Sequence, residues 1–220
     1  MKKVLFFTVF LILLITVFTG VVGAKEIDKI VVQGLTRSNE ELVRRQLPYK
    51  KGDQWTEELK KITKKRLFEM MTFNPLTLAV KAEELAADKV KVIINAEDPN
   101  PFMIHPIEFG VFKVSDLTSE KLTQYVLNPL GNGINFNLGV DWSSDPWWQV
   151  EADYVGSQGR KYTVSYKDFD NNENFNTVEY KEVGSAFMLE LQQIPKYNLI
   201  LKHRLKYKAN SYQEEKQVNQ

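Results

Sequence analysis

The chain has 220 residues, with 29 Lys and Arg against 28 Asp and Glu, a net charge of +1 and no cysteine. That balance gives no basic surface for nucleic acid, and the missing cysteines rule out a disulfide framework. The first element is Met1-Lys2-Lys3 followed by the uncharged, mostly Leu, Ile, Phe and Val run from Val4 to Phe18. A basic start and an apolar core read as a secretory leader, and Val22-Gly23-Ala24 supplies the small residues for cleavage after Ala24, making 1–24 a signal peptide. The alternative is an uncleaved anchor, since Val4 to Ala24 carries no charge and ~20 apolar residues can span a bilayer. No lipoprotein cysteine follows the leader. A secreted chain without cysteine suits a Gram-negative-type envelope.

A short strand comes next, Ile27 to Gln33, closed by Gly34 in a turn that favours positive φ. Ser38 and Asn39 offer N-cap oxygens to a short amphipathic helix carrying Leu42, Val43 and Gln46-Leu47, with Glu41 in capping-box position to Ser38 and a stop at Pro48. Thr56 caps a longer helix that places Leu59, Ile62, Leu67, Phe68 and Met71 on one face and ends at Asn74-Pro75. Lys60, Lys61, Lys64, Lys65 and Arg66 form a basic run on that helix. The interleaved apolar spacing makes it a solvated face, with attraction to anionic lipid headgroups as the alternative. Leu76 to Lys81 and Lys89 to Asn95 read as two strands joined by the hairpin segment Ala82 to Asp88.

This βααββ order, with Gly34-Leu35-Thr36 after the first strand, Lys51 to Glu58 before the second helix and Val90 to Pro101 at the close, resembles a POTRA module. Such modules occur in the outer-membrane barrel-assembly and surface-antigen family and in cell-division POTRA proteins. The resemblance covers about a third of the chain, residues 25–98, and an unrelated small α+β unit is the other reading of the same pattern.

Residues 99–131 read as a linker or insert. Asp98-Pro99-Asn100-Pro101 is stiff, Ile107, Phe109 and Val111 suggest one strand, and Thr118 to Leu127, with Leu122, Tyr125 and Val126 on a face, suggests a helix. The insert departs from the barrel-assembly pattern, in which the last module runs almost straight into the barrel. From Asn132 the period becomes two. Ile134, Phe136, Leu138, Val140 and Trp142 alternate with polar residues, as do Trp148 to Tyr154, Tyr162 to Tyr166, Val178 to Tyr180, Phe187 to Leu191 and Tyr197 to Tyr207. Turn signals separate these runs, Asp170 to Asn174 and Gly184-Ser185 among them. Six antiparallel strands over 132–208, followed by a polar tail over 209–220, is the economical reading.

A transmembrane barrel has this dyad, with an aromatic girdle at the run ends, here Trp142, Trp147, Trp148, Tyr154, Tyr162, Tyr180, Tyr197 and Tyr207. A soluble sheet packed on one face alternates identically. The fold class is therefore an α+β unit of βααββ order followed by an antiparallel all-β segment resembling the first strands of an outer-membrane β-barrel. Six strands are too few to close, and with the polar end at Gln220 the sequence reads as a fragment or truncated frame.

Catalytic motifs are absent: there is no Gly-x-Ser-x-Gly, His-Glu-x-x-His or P-loop, and Gly131-Asn132-Gly133 precedes a strand rather than a helix. His105 and His203 lie in different segments and read as ordinary histidines. Asp168 to Glu179 places oxygen side chains at the ligand positions of a calcium loop, but Glu173 occupies the glycine position, so an Asn-rich hairpin tip is preferred. No cofactor, metal, small-molecule substrate or nucleic-acid partner is expected, and no enzyme.

The resemblance implies recognition instead. An exposed sheet edge can take up extended segments through backbone hydrogen bonds, and the predicted edge is Leu76, Thr77, Leu78, Ala79, Val80 and Lys81. The expected function is a component of outer-membrane protein assembly, insertion or translocation, with the POTRA unit in the periplasm. Its partners would be unfolded outer-membrane proteins, assembly-complex subunits and outer-membrane lipid. The alternatives are an inner-membrane-anchored cell-division-type scaffold and a soluble periplasmic β-protein.

Overall fold

The computed structural model describes residues 25–101, 119–175 and 178–215. The leader, the strand read at Ile107, Phe109 and Val111, and His105 lie outside them. The first unit comprises β1 (Glu26–Gln33), α1 (Glu40–Arg44), α2 (Glu57–Glu69), β2 (Ala79–Ala86) and β3 (Lys89–Asn95), in that order. Its sheet has the order β1-β3-β2, with β3 parallel to β1 and antiparallel to β2. The near-continuous apolar run of β3 suits its central place. Val90, Val92 and Ile94 are buried and pack with Ile27, Leu42, Val43, Leu67, Met70, Leu78 and Val80.

The caps follow the sequence closely. Asn39 Oδ1 accepts the Glu41 N–H at 2.9 Å, and Thr56 Oγ1 accepts that of Leu59 at 3.2 Å. The Ser38 half of the predicted capping box does not form, because its hydroxyl donates to the Asp98 carboxylate. On α2 the buried residues are Ile62, Thr63, Arg66 and Leu67. Phe68 is 51% exposed, and Met71, at φ 53°, turns outward just past the helix end. The predicted stripe is thus corrected by one position: Met70 goes inward and Phe68 outward. Arg66, read as part of a solvated run, is in the interior.

The second correction concerns the edge strand. Leu76 and Thr77 belong to a turn in which Asn74 Oδ1 accepts the Leu76 N–H at 3.1 Å, and Leu78 is a core residue. The strand starts at Ala79 and continues through Ala86, taking most of the residues assigned to the hairpin segment. Proline at 75 makes the preceding chain a turn, which delays the strand.

A second sheet runs β4 (Lys121–Val126), β5 (Ile134–Asp141), β6 (Trp147–Val155), β7 (Arg160–Phe175), β8 (Val178–Lys196) and β9 (Leu199–Glu215), each paired with the next. Among the described residues this sheet has six strands, but not the six expected. The helix read over Thr118 to Leu127 is strand β4 across Lys121–Val126, because Leu122 and Val126 can pair with Val140 and Phe136 and so extend the β5 edge. Helical spacing at three residues lost to a hydrogen-bonding edge and to β-favouring Thr123, Tyr125 and Val126. The turn signals at Asp170 to Asn174 and Gly184-Ser185 lie inside β7 and β8, so two predicted runs merge into one strand. Residues 209–215, read as tail, continue β9. The sheet is not closed among the described residues: β4 and β9 each have one neighbour.

Candidate functional site

No described cluster of His, Cys, Asp and Glu could hold a metal ion. The backbone from Asp168 to Asn174, read as a hairpin tip, belongs instead to the continuous strand β7. The informative features are two surfaces and a joint.

The first surface is the apolar face of the large sheet. Strand register lines up Leu138, Val150, Tyr166, Phe187 and Tyr207 in one cross-strand row, and Phe136, Ala152, Val164, Leu189 and Leu205 in the next. These side chains are on the open side: Leu138 is 44% exposed, Val150 40%, Val164 43% and Phe187 40%. The opposite face is the covered one. There Glu182 and Glu190 are only 2% and 9% exposed. Glu190 accepts from Arg204 Nε at 2.9 Å, and Glu182 accepts from Lys208 and Asn210 at 2.6 Å each and from Tyr212 at 3.1 Å. Asp153 pairs with Lys161 at 3.3 Å and accepts the Thr163 hydroxyl. A water-soluble sheet has the reverse arrangement, with apolar side chains covered and charged ones open. The aromatic girdle is present in part. Tyr154 and Tyr162 stack at 6.3 Å near the end adjoining the first unit, and Trp148 stands on the apolar face towards the other end. Trp147 is a correction, for it lies over Gly139 on the polar face beneath Lys167.

The second surface is the edge formed by β2. It is the outer strand of the three-stranded sheet, and from Lys81 to Ala86 every residue is exposed. Of the predicted edge residues, Ala79, Val80 and Lys81 lie on this strand, with Val80 facing the core; Leu76, Thr77 and Leu78 precede it.

The joint couples the two units through residues that were not expected from the sequence. Arg45 NH2 donates to the Val155 carbonyl at 2.6 Å, and its guanidinium lies 5.5 Å from the Tyr154 ring centre. Gln46, fully buried, donates to the Gly156 carbonyl at 2.5 Å and accepts the Gly159 N–H at 3.0 Å. Arg66 donates from Nε to the Ile194 carbonyl and from NH1 to the Gln46 carbonyl, both at 3.0 Å. Burial draws the Arg66 guanidinium below its ordinary value. Glycine is required where the units touch. At Gly131, with φ +71°, a Cβ would stand 2.2 Å from the Arg37 carbonyl oxygen, and at Gly159, with φ +74°, one would stand 2.9 Å from Arg66. Val155, from the end of β6, completes the core of the first unit. The only signal for this joint was negative: Gln46, just past α1, and Arg66 on α2 are polar residues at positions that apolar spacing reserves for the interior.

Asp98, at the start of the connecting segment, fastens it to the loop before α1. Its carboxylate accepts the N–H groups of Thr36 at 2.8 Å, Arg37 at 2.6 Å and Ser38 at 2.9 Å. Burial pushes this carboxyl up, but the Ser38 hydroxyl and the three amides outweigh it and hold the pKa below the usual 3.8. A depressed carboxylate contributes its stability in full above the unfolded-state value and loses it as the pH falls through the folded-state value. Asp98→Asn is therefore expected to lower the stability of the full chain by on the order of 1 kcal/mol at neutral pH, solvent screening included. The difference from wild type should close as the pH drops below about 4. Thermal unfolding across that range checks it, and a gap that is constant with pH would contradict the assignment.

The fold so defined is a small α+β unit set against an open antiparallel sheet. No protein-family model and no curated protein sequence matches the chain. Solved structures with this fold include BamA from Haemophilus ducreyi lacking POTRA domains 1-3, at TM-score 0.51 and 14% identity, over 86% of this chain and 36% of that one. CdiB from Acinetobacter baumannii matches at TM-score 0.56 and 13% identity, over 87% of this chain and 39% of that one. CdiB from Escherichia coli matches at 0.53 and 13%, over 87% and 38%. The chain thus spans well under half the length of the structures it resembles.

Proposed function

We propose that this chain is part of an outer-membrane protein assembly or secretion component. Its strands from Lys121 to Glu215 enter the outer membrane, and its βααββ unit, read as a POTRA module, stands in the periplasm. The observation that carries this reading is the inverted sheet: the apolar face is open while the polar face is buried and paired with itself. Hydrocarbon is the solvent that stabilises such a face, and a sheet closed into a barrel is one of the two backbone arrangements a bilayer accepts. Likeness of fold to BamA and CdiB structures supports the same reading. Among the described residues the six strands leave two edges unpaired, so in lipid those edges must be paired, and the full chain alone in detergent or vesicles is expected to oligomerise through them. A monodisperse, soluble monomer without detergent would overturn the membrane reading.

The role is recognition rather than catalysis. The β2 edge offers backbone groups to an extended client segment, with Lys81 and Glu83 at its flank. A photoreactive residue at Glu83 is expected to crosslink to unfolded outer-membrane proteins. Successive N–H groups of an edge strand alternate between the partner strand and the open side. Of Lys81→Pro and Ala82→Pro, one therefore removes an outward donor, and crosslinking should fall several-fold in that variant while the fold is kept. Equal crosslinking in every folded variant would dismiss the edge as the client site.

A further inference from the structure

We propose that one face of α2 is a binding site for anionic lipid headgroups at the margin of the membrane. This rests on the membrane reading of the large sheet. Lys61, Lys64, Lys65 and Phe68 recur at the spacing that brings side chains onto a single helix face. Together with Tyr197 they line a shallow groove of about 300 Å³. The Lys61 ammonium stands 5.5 Å from the centre of the Tyr197 ring. Tyr197 occupies the turn between β8 and β9, and Leu199 and Leu201, next on the same face of β9, are 41% and 40% exposed. The lysines therefore stand where the apolar face begins. In a membrane that is headgroup depth.

Two further observations point to an anion rather than to water alone. Arg66 fixes the rotation of α2 by burying its guanidinium against the Ile194 carbonyl, so the lysine face is held towards the turn and cannot roll away. Lys65 is paired with Glu69, whereas Lys61 and Lys64 have no acidic partner among the described residues. Phe68, half exposed beside them, supplies the apolar contact that an acyl chain or glycerol backbone would cover. The partner that this arrangement fits is a phospholipid with an anionic headgroup, its phosphate between Lys61 and Lys64 and its upper chain on Phe68 and Tyr197. The joint would then rest on the bilayer as well as on the sheet.

The chain has no cysteine, so a fluorophore on Glu58→Cys, one turn before Lys61, marks this face uniquely. The full labelled chain is incorporated into vesicles of phosphatidylcholine alone and into vesicles in which roughly a third of the lipid is phosphatidylglycerol, each with a headgroup-borne quencher. Flotation at high salt reports membrane entry separately. The expected result is flotation with both vesicles and stronger quenching with phosphatidylglycerol. At about 5-fold in affinity per lysine, the joint change Lys61→Glu and Lys64→Glu should remove that preference at least ten-fold over, with Lys61→Gln and Lys64→Gln intermediate. Unchanged dichroism shows that each variant is folded. Flotation with equal quenching in both vesicles would overturn the headgroup site alone; failure to float with either would overturn the membrane reading and the site with it.

Discussion

Val164→Arg, in the full chain refolded into lipid vesicles, is expected to cost about 2–4 kcal/mol, the penalty for a cation at the middle of a lipid-facing sheet. Val164 stands in the row Phe136, Ala152, Val164, Leu189 and Leu205, well inside the open apolar face. Gln149→Arg, on the polar face, is expected to cost under about 1 kcal/mol. Urea titration of the refolded chain measures both. The sign separates the two environments. If water were the medium, arginine on an exposed apolar face would be neutral or would improve solubility, and the polar-face change, placed among covered side chains, would be the costlier one.

The second large effect belongs to Arg66. Replacing it with leucine takes the donor from the carbonyls of Ile194 and Gln46 and leaves them in a dry joint, at an expected cost of about 3 kcal/mol. The loss should appear where the units meet. The amide of Gln158, which donates to the Arg45 carbonyl at 2.8 Å, and that of Ile194, which donates to the Gly159 carbonyl at 3.1 Å, should exchange faster in Arg66→Leu while those of β3 stay protected. Gly159→Ala attacks the same contact from the other side, combining a left-handed backbone with a Cβ against the guanidinium, and about 1–2 kcal/mol is expected. Wild-type exchange at both amides in both variants would mean that the units are not coupled through this residue.

What the sequence made legible was whatever depends on neighbours along the chain. The caps at Asn39 and Thr56, the order of the first five elements and the period-two faces of β5 to β9 all follow from local spacing. The errors arose where a distant segment decided the outcome. Leu122, Tyr125 and Val126 have helical spacing but lie against the open side of β5, and the Asn-rich stretch of β7 is held straight by β8 rather than turning. Ser38 gave up its capping role for Asp98, 60 residues away. Nor does alternation distinguish lipid from core. The proposed membrane reading rests instead on the burial of Glu182 and Glu190 beside the exposure of Val150 and Phe187.

Arg45, Gln46 and Arg66 all grip main-chain carbonyls, those of Val155, Gly156 and Ile194. The hydrogen bonds read no side chain, but Val155 and Ile194 are buried strand residues and Val155 packs in the core of the first unit, so only substitutions that keep both the backbone path and that packing leave the grip intact. Exposed turn side chains beside these residues, such as that of Ser157, take no part in the grip and can change without moving the helical unit on the strands. Strands of different composition could be exchanged beneath the same unit, provided glycine is kept at 131, where a Cβ would meet the Arg37 backbone, and at 159, where it would meet the Arg66 side chain.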